Sequence, residues 1–221
     1  MATEPRPRAA VYIDGFNLYR RVLENEPALK WLDIAQMSDL LLPGFDVVRV
    51  RYFTARIKAT TGTDPHSPAR QQAYLRALDT IPRVSIHEGT YRIDKRWMPE
   101  HPVRVDADGK IVTVQVRKTE EKGSDVNLAA RMLVDAFKDA ADVFFLLSND
   151  SDFSDAFGLV RTEAGKKIGL ISPTDRPSKS LLATAPDHVR TIRHGLLAAS
   201  QLPDMLTDMH GRIHRPAAWP K

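Results

Sequence analysis

The chain has no cysteine. Disulfides, thiol nucleophiles and thiolate metal sites are therefore excluded, and the absence suits a reducing compartment. Long apolar runs are missing too. The longest reach five residues, in Ala9–Ile13 and Val143–Leu147, whereas a membrane-spanning helix needs about 20. The stretch Met1-Ala2-Thr3-Glu4-Pro5-Arg6-Pro7-Arg8 is polar and proline-rich, without the apolar centre of a signal peptide. The expectation is a soluble, cytoplasmic protein with no membrane partner and a disordered leader over 1–8. Seven histidines are scattered without paired spacing, so a histidine zinc set is not offered. Net charge is only +4, too little to argue for nucleic acid by itself.

What is present is ordinary for a globular domain: 221 residues, 43% hydrophobic and 27% charged. The charge is unevenly placed. Residues 49–118 carry 14 Lys and Arg against 7 Asp and Glu, while the flanks lean acidic. Such an arrangement suits an acidic centre beside a phosphate-binding surface, although a solvated basic face explains the charge equally well.

Periodicity supplies the element order. Val143-Phe144-Phe145-Leu146-Leu147 is a short unalternating run, as expected for a strand buried on both faces. Ala9–Ile13 reads as a first strand and Phe16–Glu24 as a helix. Leu32–Leu42 reads as a second helix, stopped by Pro43-Gly44. Asp46–Ile57 alternates, with Val48, Val50 and Tyr52 against Arg49 and Arg51. A loop over 59–68 precedes a helix to Ile81, and Val84–Ile93 is the next strand. Residues 94–119 suggest an inserted β-hairpin turning at Asp108-Gly109 and rich in Lys and Arg. Val126–Lys138 is a strong helix, with Leu128, Met132, Val134 (or Leu133) and Phe137 as its buried side. After the Val143–Leu147 strand come another helix, a strand over Lys167–Ile171, and helical patterns over Ser178–Ala185 and Val189–Ala199. Strands alternating with helices predict an α/β fold with a mainly parallel sheet. One domain is expected over 9–200, followed by a C-terminal tail over 201–221 that is loosely held from His210 onward. Ile192, Leu196, Leu197 and Leu202 would cover the core or a second subunit, so a homodimer is possible on pattern alone.

Acids recur at matching places. Asp14 ends the first strand, Asp125 starts the helix after the basic segment, and Asp150 and Asp152 follow the buried strand. Ligands of open parallel sheets gather at the carboxyl ends of the strands, and neighbouring strand ends lie about 5 Å apart. Carboxylates converging there suit Mg²⁺ or Mn²⁺, which take oxygen ligands. Taken singly, each acid has a plainer role as a turn residue or helix cap.

Three segments together resemble the NYN domain, a PIN-like nuclease group that includes bacterial LabA/DUF88 proteins. They are Val11-Tyr12-Ile13-Asp14-Gly15-Phe16-Asn17-Leu18, Lys122-Gly123-Ser124-Asp125-Val126, and Leu147-Ser148-Asn149-Asp150-Ser151-Asp152-Phe153 with Gly165-Lys166-Lys167 downstream. The resemblance implies a PIN-like three-layer α/β/α fold and Mg²⁺- or Mn²⁺-dependent hydrolysis of phosphodiesters, with RNA as the favoured nucleic-acid partner. It places Asp14, Asp125, Asp150 and Asp152 in the metal-binding and catalytic set. Asn17 matches the asparagine after the first acid, and Ser148 the hydroxyl residue opening the last motif. Asn149-Asp150-Ser151-Asp152 stands where many relatives have Gly-Asp-Gly-Asp.

Asp14 and Asp150 are expected as direct ligands, and Asp125 and Asp152 as ligands through water or groups orienting the nucleophile. Lys122, Arg96 and Lys118 are candidate substrate-binding residues, with Ser148 beside them. In Lys95-Arg96-Trp97 the charge and ring could hold backbone and base, although Trp97 could equally pack the hairpin. The main competing reading is a non-catalytic PIN-like module that binds RNA or protein. A phosphatase forming an aspartyl-phosphate fits less well, because Asp14-Gly15-Phe16 lacks the second acid of an Asp-x-Asp pair.

Overall fold

The computed structural model describes residues 5–57 and 64–221. The expected loop over 59–68 and the start of the expected leader therefore lie partly outside the described residues. Seven strands form one sheet: β1 (Arg8–Asp14), β2 (Asp46–Ala55), β3 (Val84–Pro99), β4 (Thr113–Lys122), β5 (Val143–Leu147), β6 (Lys167–Ser172) and β7 (His188–Thr191). Their spatial order is β4-β3-β2-β1-β5-β6-β7. Every pairing is parallel except β3 with β4.

β1 and β5 sit at the centre because they are apolar on both faces, as buried parallel strands must be. Ala9, Val11 and Ile13 point into one core with α2 (Ile34–Leu41) and α3 (Ser67–Asp79). Ala10 and Tyr12 point into the other, against α4 (Ser124–Phe137) and α5 (Ser154–Thr162). The result is the expected three-layer α/β/α arrangement.

Several local expectations change. Arg8 opens β1, with its backbone N–H 2.7 Å from Asp142 Oδ2. Val48 is exposed, because the β1–β2 register shifts between Ala9 and Ala10 and skips it. No separate inserted hairpin is seen. β3 continues unbroken past Ile93, pairing with β2 through Gly89 and with β4 from Thr90 onward. No Gly or Pro interrupts Ile93–Met98, and the segment stays extended. The turn does fall at Asp106–Gly109, closed by Gly109 N–H to Asp106 O at 3.0 Å.

In α4, Val134 and Phe137 are exposed, and Asp135 takes the buried position instead. Its carboxylate accepts from Tyr12 Oη at 2.6 Å and Arg51 Nε at 2.7 Å, and pairs with Arg49 at 2.9 Å. A satisfied ion-pair hub thus sets the face of the helix. Val189–Thr191 is not helical but lies in the edge strand β7. Helix α6 (Lys179–Ala183) precedes that strand, and the helix after it, α7, spans only His194–Ala199.

The tail is not loosely held. β8 (Met205–Asp208) and β9 (Gly211–His214) form an antiparallel ribbon that buries Ile213, with Arg76 of α3 bound to Asp208. Trp219 lies against Trp31 and Tyr74. Ile192, Leu197 and Leu202 are buried in the chain's own core, and Leu196 packs on it. That removes the apolar surface on which the homodimer expectation rested.

Candidate active site

Adjacent strand ends bring the first and last motifs together. Ile13 pairs with Leu147, so Asp14 and Ser148 emerge side by side. Asp14 caps the short helix α1 (Gly15–Leu18), accepting from the Asn17 backbone N–H at 3.0 Å. Its other oxygen accepts from Ser148 Oγ at 2.9 Å. Gly15 is required here: a Cβ would stand 2.5 Å from the Phe53 carbonyl oxygen. The Asn17 side chain does not reach Asp14. Its oxygen accepts from the Asn149 backbone N–H at 3.2 Å, which ties the first turn to the end of β5.

Ser148 holds a second link, accepting the Asp150 backbone N–H at 3.1 Å. Asp150 in turn caps the turn Ser151–Phe153, accepting from the Asp152 backbone N–H at 3.1 Å. Asn149 fastens this loop to the one after β6, donating to Arg176 O at 3.0 Å and accepting from Ser178 N–H at 2.5 Å. These bonds replace the conformational freedom that glycine would give.

Asp14, Asp125 and Asp150 line one cleft of about 480 Å³ together with Phe16, Asn17, Arg20, Arg21 and Glu121. Burial raises the pKa of Asp14, opposed by the Asn17 N–H and the Ser148 hydroxyl, with the Asp150 charge adding to the rise. Burial likewise raises Asp125, to about 6, reinforced by the charges of Asp14, Glu121 and Asp150. Among the described residues, none of Asp14, Asp125 and Asp150 forms an ion pair. The cleft therefore carries like charge that no side-chain ion pair offsets.

The donor set is all hard oxygen, which fits a divalent cation in kind. Among the described residues, no three His, Cys, Asp or Glu side chains are arranged to hold a metal ion. Asp152 is exposed and does not line the cleft. Arg96, Lys118 and Lys122 do not reach it either. Arg96 pairs with Asp94 at 3.2 Å, Lys122 with Glu120 at 3.1 Å, and Lys118 also with Glu120.

Three cleft residues escaped the reading of the sequence. Arg20 and Arg21 stand three and four positions after Asn17, the spacing that shares a helix face, and that spacing was the available signal. Glu121 accepts the Ser124 backbone N–H at 3.1 Å, capping α4 from outside the helix. Gly89 makes room for this crossing, since a Cβ there would stand 2.8 Å from the Lys122 carbonyl oxygen. Phe16 also borders a second, more apolar recess lined by Tyr19, Tyr52, Tyr74 and Trp219.

The NYN domain family model matches residues 8–193. The 6-hydroxy-3-succinoylpyridine 3-monooxygenase HspA of Pseudomonas putida (strain DSM 28022 / S16) is 30% identical over 239 residues, spanning 96% of this chain and 75% of that protein. A Vibrio parahaemolyticus protein of unknown function, known from its crystal structure, superposes with a TM-score of 0.55 at 17% identity. The match covers 88% of this chain and 98% of that one. At that identity the likeness speaks for the fold alone. Among the described residues no helix is long and apolar enough to cross a membrane.

Proposed function

The chain belongs to the NYN domain family, and on that premise we propose that it is a Mg²⁺- or Mn²⁺-dependent nuclease hydrolysing phosphodiester bonds in RNA. The observation that carries the reading is the cleft in which Asp14, Asp125 and Asp150 meet without a side-chain ion pair to offset them. Asp14 and Asp150 would hold the cation, which when bound would supply charge stabilisation at the phosphate and lower the pKa of water. Ser148 fixes both acids at once through its two hydrogen bonds. Asn17 keeps the two loops in register, and Asp152 acts through Asp150, whose carboxylate its N–H holds.

Asp125, titrating near 6, accepts the proton of the water that attacks phosphorus. The new P–O bond forms as the bond to the leaving oxygen breaks, and that oxygen takes a proton from solvent. Arg20 and Arg21 at the cleft wall bind the flanking phosphates.

Labelled single-stranded RNA incubated with the purified protein and Mn²⁺ tests this. Cleavage by the wild type and its loss in Asp150→Asn is the expected result. Equal cleavage by both, or none by the wild type, overturns it. A wild type that binds RNA but takes up no Mn²⁺ in calorimetry would favour the non-catalytic module.

A second reading follows the Pseudomonas relative: oxygenation of an aromatic heterocycle. The apolar recess beside Phe16 is the observation that favours it. Oxygen uptake with 6-hydroxy-3-succinoylpyridine and a reduced nicotinamide, without RNA cleavage, would establish it over the first.

A further inference from the structure

We propose that the outer part of the β3–β4 ribbon is an arm for single-stranded nucleic acid, with Trp97 stacking on a base and Lys95 and Arg117 holding phosphates. The ligand class rests on the nuclease reading; the placement comes from the strands themselves.

Side chains alternate across a ribbon, so every second residue shares a face. Glu121 lines the acidic cleft, and its cross-strand partner Tyr91 sets its ring edge against Phe16, with centroids 6.1 Å apart. The cleft side of the ribbon is thereby fixed. Following that face outward, the pairs are Ile93 with Thr119, Lys95 with Arg117, and Trp97 with Gln115. Beyond Glu121 the face holds two cations and no acid.

The opposite face carries acids among its bases. It pairs Arg92 with Glu120 and Asp94 with Lys118 across the strands. Its charges are consumed internally, through Arg92 and Arg96 with Asp94 and through Lys118 and Lys122 with Glu120. Lys95, by contrast, makes no ion pair among the described residues. Trp97 is 67% exposed, the most of the chain's exposed aromatic side chains.

A bare ring beside cations, on a strip continuous with a cleft proposed to cut phosphodiesters, matches what single strands bind. Bases stack on rings without regard to sequence, and phosphates seek the flanking charge. Trp97 stands six strand positions beyond Tyr91, roughly 20 Å, so several nucleotides would lie between stacked base and cleft. Arg96, adjacent in sequence, faces the other way.

The test is fluorescence anisotropy of a labelled single-stranded RNA of about twelve nucleotides, a length within the range one such surface covers. It uses the full chain in EDTA, so that turnover does not intrude. Trp97→Ala should weaken binding about tenfold or more, the effect of losing one stacked base, and Trp97→Phe should restore most of it. Lys95→Gln should lower the slope of log affinity against log salt by about 0.7. Met98→Ala and Arg96→Gln, on the other face, should leave affinity nearly unchanged.

Binding that Trp97→Ala leaves intact, equal losses from both faces, or no binding by the wild type would overturn the arm. A dimer in light scattering that Trp97→Ala breaks, with RNA affinity unchanged, would assign the face to a second copy instead. Cleavage with Mn²⁺ is scored separately. If the wild type cleaves RNA but Trp97→Ala alters neither affinity nor KM, the arm falls and the nuclease stands. If RNA binds through Trp97 and nothing is cleaved, the nuclease falls and the arm stands.

Discussion

Ser148 donates its hydroxyl hydrogen to Asp14 over 2.9 Å, and the same oxygen receives the Asp150 backbone N–H. One fully buried hydroxyl thus sets two acids of the cleft. Ser148→Ala leaves an Asp14 oxygen without this donor at a site only 5% exposed. The expected loss is about 10- to 100-fold in Mn²⁺ affinity or hydrolysis, as for partners that orient metal ligands. The stability cost is about 1–3 kcal/mol. Calorimetric Mn²⁺ titration and urea unfolding read the two separately.

Asp125 gives a pH signature whose sign is fixed. Its pKa rises on folding from the ordinary carboxylate range to about 6, so the folded chain holds a proton that the unfolded chain releases earlier. That stabilising contribution is complete below the unfolded value and is lost as pH climbs through about 6. Asp125→Asn should therefore raise the Tm of the metal-free protein at pH 7.5 and leave it nearly unchanged at pH 4. Because the group is substantially exposed and screened, the gain should be roughly 1 kcal/mol, or about 2–4 °C. Mn²⁺ affinity of the wild type should rise over the same interval, because ligands must shed protons.

The cleft arginines separate binding from chemistry. Arg20→Gln or Arg21→Gln should raise KM for RNA about tenfold with kcat nearly constant, the pattern of lost uniform binding. Lys118→Gln and Lys122→Gln, whose charges are already paired with Glu120, should change KM little. Steady-state cleavage rates over a range of RNA concentrations decide between the two sets.

Asp135 is a buried acid whose role is structural, unlike the acids proposed for the cleft chemistry. Three partners hold it, and Asp135→Ala leaves Arg51, only 14% exposed at its side chain, without its carboxylate. Removing one partner of a buried pair costs about 3–5 kcal/mol. A large fall in the urea midpoint is expected, and an unchanged midpoint would contradict it.

Much of this was readable in the chain. The run Val143–Leu147 had to be a central strand because it is apolar on both faces, and Asp14-Gly15-Phe16-Asn17 carried its cap spacing openly. Glu121 was not readable as a site residue, because what places it is the close approach of the end of β4 to Gly89; Arg20 and Arg21 offered only their spacing after Asn17. The buried face of α4 was misjudged for a related reason. Apolar pattern assigns Phe137 inward, yet a carboxylate with three partners can occupy the core position and leave the ring outside. The C-terminal ribbon was hidden by brevity, since strands of four residues show little alternation.

Trp31 donates its indole N–H to the Pro203 carbonyl, 172 positions along the chain, and lies tilted against Trp219. Leu202 N–H and the Leu32–Gln201 bridge join the same two stretches. The first helical layer is therefore completed only by residues 201–219, and a chain truncated before them would leave Trp31 uncovered on one side of the sheet.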